Sequence, residues 1–281
     1  MSTAGTAALV DVAAANREAE SALRAVVHAV ADGPGLPPTA RARAAVAGAY
    51  ADLWICRRLA EAARTPSGTA GAEVVAGYLA PRLLLDGADG LGAALGERLH
   101  SPEPPFAAYR QHVRRLAALA GAPGAAARTR AVAARLPLVA DGDDRLARPL
   151  TAVPATALVQ PLRARVGALE EERQRVSERV VDPGPAGVWA LTDRYALLTA
   201  AVVCLDGWRV PGSPRRRRSS DRMCLTGALS RLAAGLCLPS EGNRDWQDEV
   251  YEVAVALLGE EGAGDRCDAV VRQPAYALAG R

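Results

Sequence analysis

Between Pro104 and Ala140 the chain has no aspartate or glutamate, yet it carries six arginines: Arg110, Arg114, Arg115, Arg128, Arg130 and Arg135. Arginine presents a planar fork of donors suited to carboxylates and phosphates, so an acid-free stretch of this kind leaves a positively charged surface that either meets an anion or solvates one helix face. A second cluster, Arg215, Arg216, Arg217 and Arg218 in "SPRRRRSS", suits an acidic partner or a phosphate group, or is a solvated loop. No aromatic interleaving or recognition-helix pattern accompanies it, which argues against nucleic acid. His28, His100 and His112 show no metal-ligand spacing with cysteines or carboxylates, and no metal site is expected. The five cysteines, Cys56, Cys204, Cys224, Cys237 and Cys267, are odd in number and contain no C-x-x-C pair. They read as reduced thiols in a reducing compartment. There is no G-x-S-x-G, no P-loop, and no glycine fingerprint following a strand.

These residues need elements to hold them, and the pattern is helical throughout. Leu9, Val12, Asn16, Ala19, Leu23, Val26 and Val30 recur at steps of three and four, the seam of an amphipathic helix. Gly33-Pro34 stops it, and Pro37-Pro38 opens the next helix, "TARARAAVAGAYADLWICRRLAEAAR". Trp54 and Ile55 widen the apolar stripe of that helix, so it should touch neighbours on two sides. A third helix is expected from about Ala70 to Arg98, kinked at Pro81, then Phe106–Ala120 and Pro123–Leu136 around "GAPG". Turn-forming residues mark 141–155 as a linker. The second half adds a charged amphipath, "ALVQPLRARVGALEEERQRVSERVV", the apolar "GVWALTDRYALLTAAVVCLDGW", and two shorter helices separated from it by the arginine loop. No period-2 pattern of useful length occurs, so the expected class is all-α: a helical bundle over 1–140, a linker over 141–155 and an appended helical region over 156–281.

Composition agrees. Half the 281 residues are hydrophobic but only 4% are aromatic, so the core must be built from Ala, Leu and Val. Every basic residue is arginine, and the net charge of +3 is mild. The start, "MSTAGTAALVDV", lacks the basic flank and apolar run of a signal peptide. No uninterrupted apolar run of about 20 residues is present. A cytoplasmic protein without membrane association is expected.

The segments "YADLWICRRLAEAAR", "VVAGYLAPRLLLDGADGLGAALGERLH" and "FAAYRQHVRRLAALAGAPGAAARTRAVAARLPLVA", in that order, resemble the C-terminal helical domain of acyl-CoA dehydrogenases, most closely a long actinobacterial type. "ALTDRYALLTAAVVCLDGW" and the ending "PAYALAGR" are similar to the extra helical region of those longer chains, so the likeness covers most of 40–281. It implies a four-helix bundle followed by a second helical region, with FAD as cofactor and an acyl thioester as substrate. The family's N-terminal helical and middle β domains have no counterpart here. Its Gly-rich turn corresponds to "LGAALGERLH", which keeps Gly92 and Gly96. Its Arg-Asp pair corresponds to Arg114-Arg115. The glutamate that removes the substrate α-proton in many members would fall near Gly121-Ala122, where there is no acid. Some members place the base on an earlier helix, where Asp52 and Glu61 stand; these read as solvated helix charges. The resemblance therefore implies no catalytic residue in this chain, and Arg98, Arg114 and Arg115 as contacts to a flavin diphosphate. The expected function is that of a partner subunit in a split, FAD-dependent acyl-CoA or acyl-carrier-protein dehydrogenase, in which a dehydrogenase-like second chain supplies the β domain and FAD. The other expectation is a non-enzymatic helical scaffold or binding protein; both predict an oligomer.

Overall fold

The structure is a computed structural model and describes residues 3–31, 38–65, 71–121, 124–147, 149–150, 160–181, 184–209, 219–238 and 245–259. All regular structure among them is helical: α1 (Thr3–Ala31), α2 (Ala40–Arg64), α3 (Ala72–Leu95), α4 (Pro104–Ala120), α5 (Ala125–Ala133), α6 (Leu136–Ala140), α7 (Gln160–Val180), α8 (Gly184–Arg209), α9 (Ser219–Gly235) and α10 (Asp245–Leu258). Short 3-10 turns follow α3 at Gly96–His100 and precede α7 at Arg145–Ala147.

The helices start and stop where local chemistry directs. Thr39 caps α2 by accepting the Ala42 N–H at 3.2 Å, which satisfies one of the orphan amide donors of a first turn. Gly71, at φ 86°, admits the left-handed conformation that turns the chain into α3. Pro104 and Pro105 open α4, where a missing N–H costs nothing. α3 continues through Pro81, which is buried within it. The helix expected from Pro123 to Leu136 is two: α5 ends at Ala133, and α6 begins at Leu136, followed directly by Pro137.

α2 is the central element. It packs against α1, α3, α8, α9 and α10, and every residue from Val46 to Leu53 is buried. That all-round burial exceeds the two-sided contact expected from its stripe. It is possible because Ala47, Gly48, Ala49 and Ala51 are small enough to let other helices close in. At Gly87 of α3 an added Cβ would stand 3.3 Å from the Ala49 Cα, so α2 and α3 touch almost backbone to backbone there. One cluster of buried residues runs from Val12 of α1 to Leu258 of α10 and includes both halves of the chain.

The 141–155 segment is described as far as Leu150, except for Pro149's neighbour at 148. Asp144, Leu146 and Leu150 within it are buried, so this part lies against the core and is not a solvated spacer. It is held by polar ties to α7: Glu170 accepts the Leu150 N–H at 2.7 Å, and Arg173 donates to the Leu146 carbonyl at 2.8 Å. Glu170 and Arg173 pair with each other at 2.7 Å. One stretch, Gly187–Asp206 of α8, has the length and composition to cross a membrane; 72% of it is buried within the protein, which accounts for its apolar character as that of a core helix.

Candidate functional site

The acid missing from residues 104–140 is supplied from elsewhere in the fold. Glu18 of α1 meets two α4 side chains, His112 Nδ1 at 2.6 Å and Arg115 Nη1 at 3.6 Å. Arg135 reaches the buried Asp144 at 2.6 Å. Other arginines of the stretch close carbonyls that helix ends leave open. Arg110 donates to the Leu99 and Ser101 carbonyls beyond α3 and Arg128 to Ala120 at the end of α4 (3.1 Å), while Arg130 folds back on its own helix to the Ala126 carbonyl (3.3 Å). Most of this unusual charge thus closes the fold. Arg114 differs: it is exposed and has no ion pair or hydrogen bond among the described residues.

Arg114 lies at the rim of an open recess of about 410 Å³ between α3 and α4, with Asp89, Gly92, Ala93, Leu99, Tyr109, Arg110 and Val113 as the other lining residues. The recess exists because α3 is small-sided here. Gly92 leaves space that a Cβ would carry to within 3.3 Å of the Tyr109 hydroxyl. Tyr109 is itself buried and donates to the Ala88 carbonyl at 2.5 Å; burial, with help from Asp89, pushes its phenol up to about 12. Tyr109 and Arg110 are committed within the protein, and Arg114 is the cation left to meet a ligand. The lining is largely apolar and carries two exposed opposite charges, Asp89 and Arg114, an arrangement that can seat an apolar group flanked by polar ones.

The three arginines expected at a flavin diphosphate do not converge on one point. Arg98, in the 3-10 turn after α3, donates to the Ala29 carbonyl at the end of α1 (3.1 Å) and stacks over Phe106 at 5.2 Å. Arg115 leans toward Glu18, while Arg114 faces the recess. Gly92 lies inside α3, and Gly96, at φ 56°, is its C-cap. The set does not form a diphosphate cradle among the described residues of this chain. Arg215, Arg216, Arg217 and Arg218 lie outside the described residues. Among the described residues no group of three or more His, Cys, Asp or Glu is placed to hold a metal ion.

Asp52 was expected to be a solvated helix charge and is instead wholly buried. Arg231 of α9 grips it with two bonds, Nε to Oδ1 at 3.0 Å and Nη2 to Oδ2 at 2.6 Å. Burial raises the Asp52 carboxyl to about 6, although Arg231 pulls it down and Asp86 adds to the rise. Gly87 gives the pair its space: an added Cβ there would stand 3.3 Å from Asp52 Oδ2. Glu61 takes the solvated role expected of it, pairing with Arg58 at 2.7 Å.

Two further polar clusters escaped the sequence. Tyr195, fully buried in α8, donates to Asp144 Oδ2 at 2.9 Å, the oxygen that Arg135 also reaches, while Asp144 Oδ1 accepts the Leu146 N–H at 3.0 Å. Burial, together with Asp144, pushes the Tyr195 phenol up to about 12. On the other side of α8, Asp193 accepts from both Tyr78 and Arg82 of α3. The only sequence signal for these groups is an acid or tyrosine within an otherwise apolar run. All of them tie helices together, and none faces the recess.

Comparison with known proteins gives no match: no family model, no curated protein and no solved structure aligns with the chain.

Proposed function

We propose that this chain is a helical, non-catalytic partner subunit that acts by binding a second protein. The favoured partner is an acyl-CoA dehydrogenase-like chain that carries FAD and acts on acyl thioesters. The observation that carries this reading is the α3–α4 recess. It is largely apolar, it borders the acid-free α4, and its exposed Arg114 has no ion pair or hydrogen bond among the described residues. It is built from the same segments, "GADGLGAALGERLH" and "FAAYRQHVRRLAALAG", that resemble the dehydrogenase helical domain. Catalytic roles fall to the partner, since the resemblance assigns no base to this chain and Asp52, the one buried acid on α2, is locked to Arg231. Size-exclusion chromatography of this chain alone and mixed with the dehydrogenase-like chain encoded nearest to it tests the proposal. A shared, earlier peak is expected. Two separate peaks would reject it.

A second reading is a homo-oligomeric scaffold or binding protein that kept only a helical bundle. The commitment of Arg98 to Ala29 and of Arg115 to Glu18 favours it, because both side chains then serve this chain's own packing. A stable, colourless oligomer of this chain alone is its signature.

A further inference from the structure

We infer that the outward face of α4, with the recess beside it, is the docking surface for an acidic helix of a partner protein. This rests on the reading of the chain as a binding subunit and specifies where and by what chemistry it binds. α4 turns Phe106, Tyr109 and Leu116 into the core. Its opposite stripe, Ala107, Gln111, Arg114, Arg115 and Ala118, is exposed and follows helical steps of three and four. Alanines at both ends of that stripe let another helix approach closely, while the two arginines sit at its middle. Charge decides what can lie there. Arg114 has no ion pair among the described residues, and Arg115 is half-exposed with only a 3.6 Å contact to Glu18. The acids beside them offset them only in part: Glu18 stands 3.6 Å from Arg115, and Asp89 shares the recess with Arg114 without an ion pair to it among the described residues. An acidic helix would complete both arginines, and one large apolar side chain from it would fill the recess over Leu99 and Val113, the helix-in-groove mode of recognition. A basic or neutral helix would leave the arginines uncompensated.

The test uses the whole chain and a purified holo acyl carrier protein as the acidic helical probe, with affinity measured by calorimetry at low and moderate salt. Binding is expected to weaken at higher salt. It is expected to fall roughly tenfold or more in Arg114→Glu/Arg115→Glu, since truncating or reversing interfacial charge acts on this scale. Gln111→Glu provides a second, milder reversal at an exposed position should the double variant fold poorly. Alanine at Arg215, Arg216, Arg217 and Arg218 should leave binding unchanged. The inference is overturned by no binding at low salt, by binding that these α4 variants leave intact, by binding that depends on the Arg215–Arg218 cluster instead, or by equal binding of duplex DNA or anionic vesicles. Failure of the dehydrogenase reading is distinct, because it is read from whether that chain associates at all.

Discussion

Arg231 of α9 closes on Asp52 of α2 across 179 positions of sequence, with both carboxylate oxygens engaged at 3.0 and 2.6 Å. Asp52 is fully buried while Arg231 keeps partial contact with solvent. The pair therefore joins the N-terminal and C-terminal halves at the most crowded helix of the fold. Removing the arginine leaves a buried acid without its counter-charge. Arg231→Ala should lower stability at pH 7.5 on the order of 3 kcal/mol, the scale for breaking a buried pair from one side. The loss should shrink near pH 5, where Asp52 can take up a proton. Urea unfolding at the two pH values checks this; an equal loss at both would contradict it.

Wild-type stability should carry the mark of Asp52 itself. Its carboxyl titrates at about 6 in the folded protein against 3.8 in the reference state. Between those values the folded state holds a proton that the unfolded chain has released. Stability from this group is therefore complete below about pH 4 and is lost as pH rises through about 6. The gap of about two pH units corresponds to about 3 kcal/mol. Asp52→Asn removes the titration, so the difference in unfolding free energy between wild type and variant should shift in favour of the variant from pH 4.5 to pH 7. A difference that stays flat over that range would refute the assignment.

Gly71 stands at φ 86°, and a Cβ there would meet the Tyr195 hydroxyl at 3.0 Å and Arg135 Nε at 3.2 Å. Gly71→Ala should cost about 1–2 kcal/mol, combining the left-handed backbone penalty with displacement of the Tyr195–Asp144–Arg135 cluster. Tyr195→Phe, which removes one hydrogen bond and leaves the turn intact, should cost about 1 kcal/mol. Thermal or denaturant unfolding of both variants reads the order; a Gly71→Ala protein as stable as wild type would contradict the geometry.

The thiols should divide by place. Cys56, Cys204 and Cys224 are buried. Burial raises the Cys56 thiol well above its usual value and those of Cys204 and Cys224 to about 12. Cys237 is exposed after α9. In a Cys267→Ser background, an aromatic disulfide reagent should label one thiol rapidly in the native protein and three more only on unfolding. Rapid native labelling of more than one would show that the α2–α8 core opens readily.

The helices of the first half were legible because their apolar spacing is local. The α1 seam through Val12, Leu23 and Val26 is buried as its steps of three and four require. The all-α class followed for the same reason. Asp52 was misread because one acid in a helix looks the same whether it faces water or a guanidinium 179 residues away. The 141–155 stretch read as a linker from its Asp, Gly and Pro content, but Leu146 and Leu150 are core residues whose neighbours lie on α7. The break between α5 and α6 was missed although Pro137 marks it locally: proline has no N–H to bond the Ala133 carbonyl and disfavours helical backbone at the residue before it. At the candidate site, Arg114 and Gly92, singled out in the sequence through the family resemblance, both line the recess. The lining residues Asp89, Tyr109 and Val113 depend on how α3 meets α4, which spacing within either helix does not specify.

Co-expression with the nearest dehydrogenase-like chain, followed by the visible absorption spectrum of the purified material, tests the partner-subunit reading most directly. A yellow complex containing both chains, whose flavin band bleaches on addition of an acyl thioester, is the predicted result. This chain eluting alone and colourless, with the dehydrogenase-like chain fully active in its absence, would contradict it.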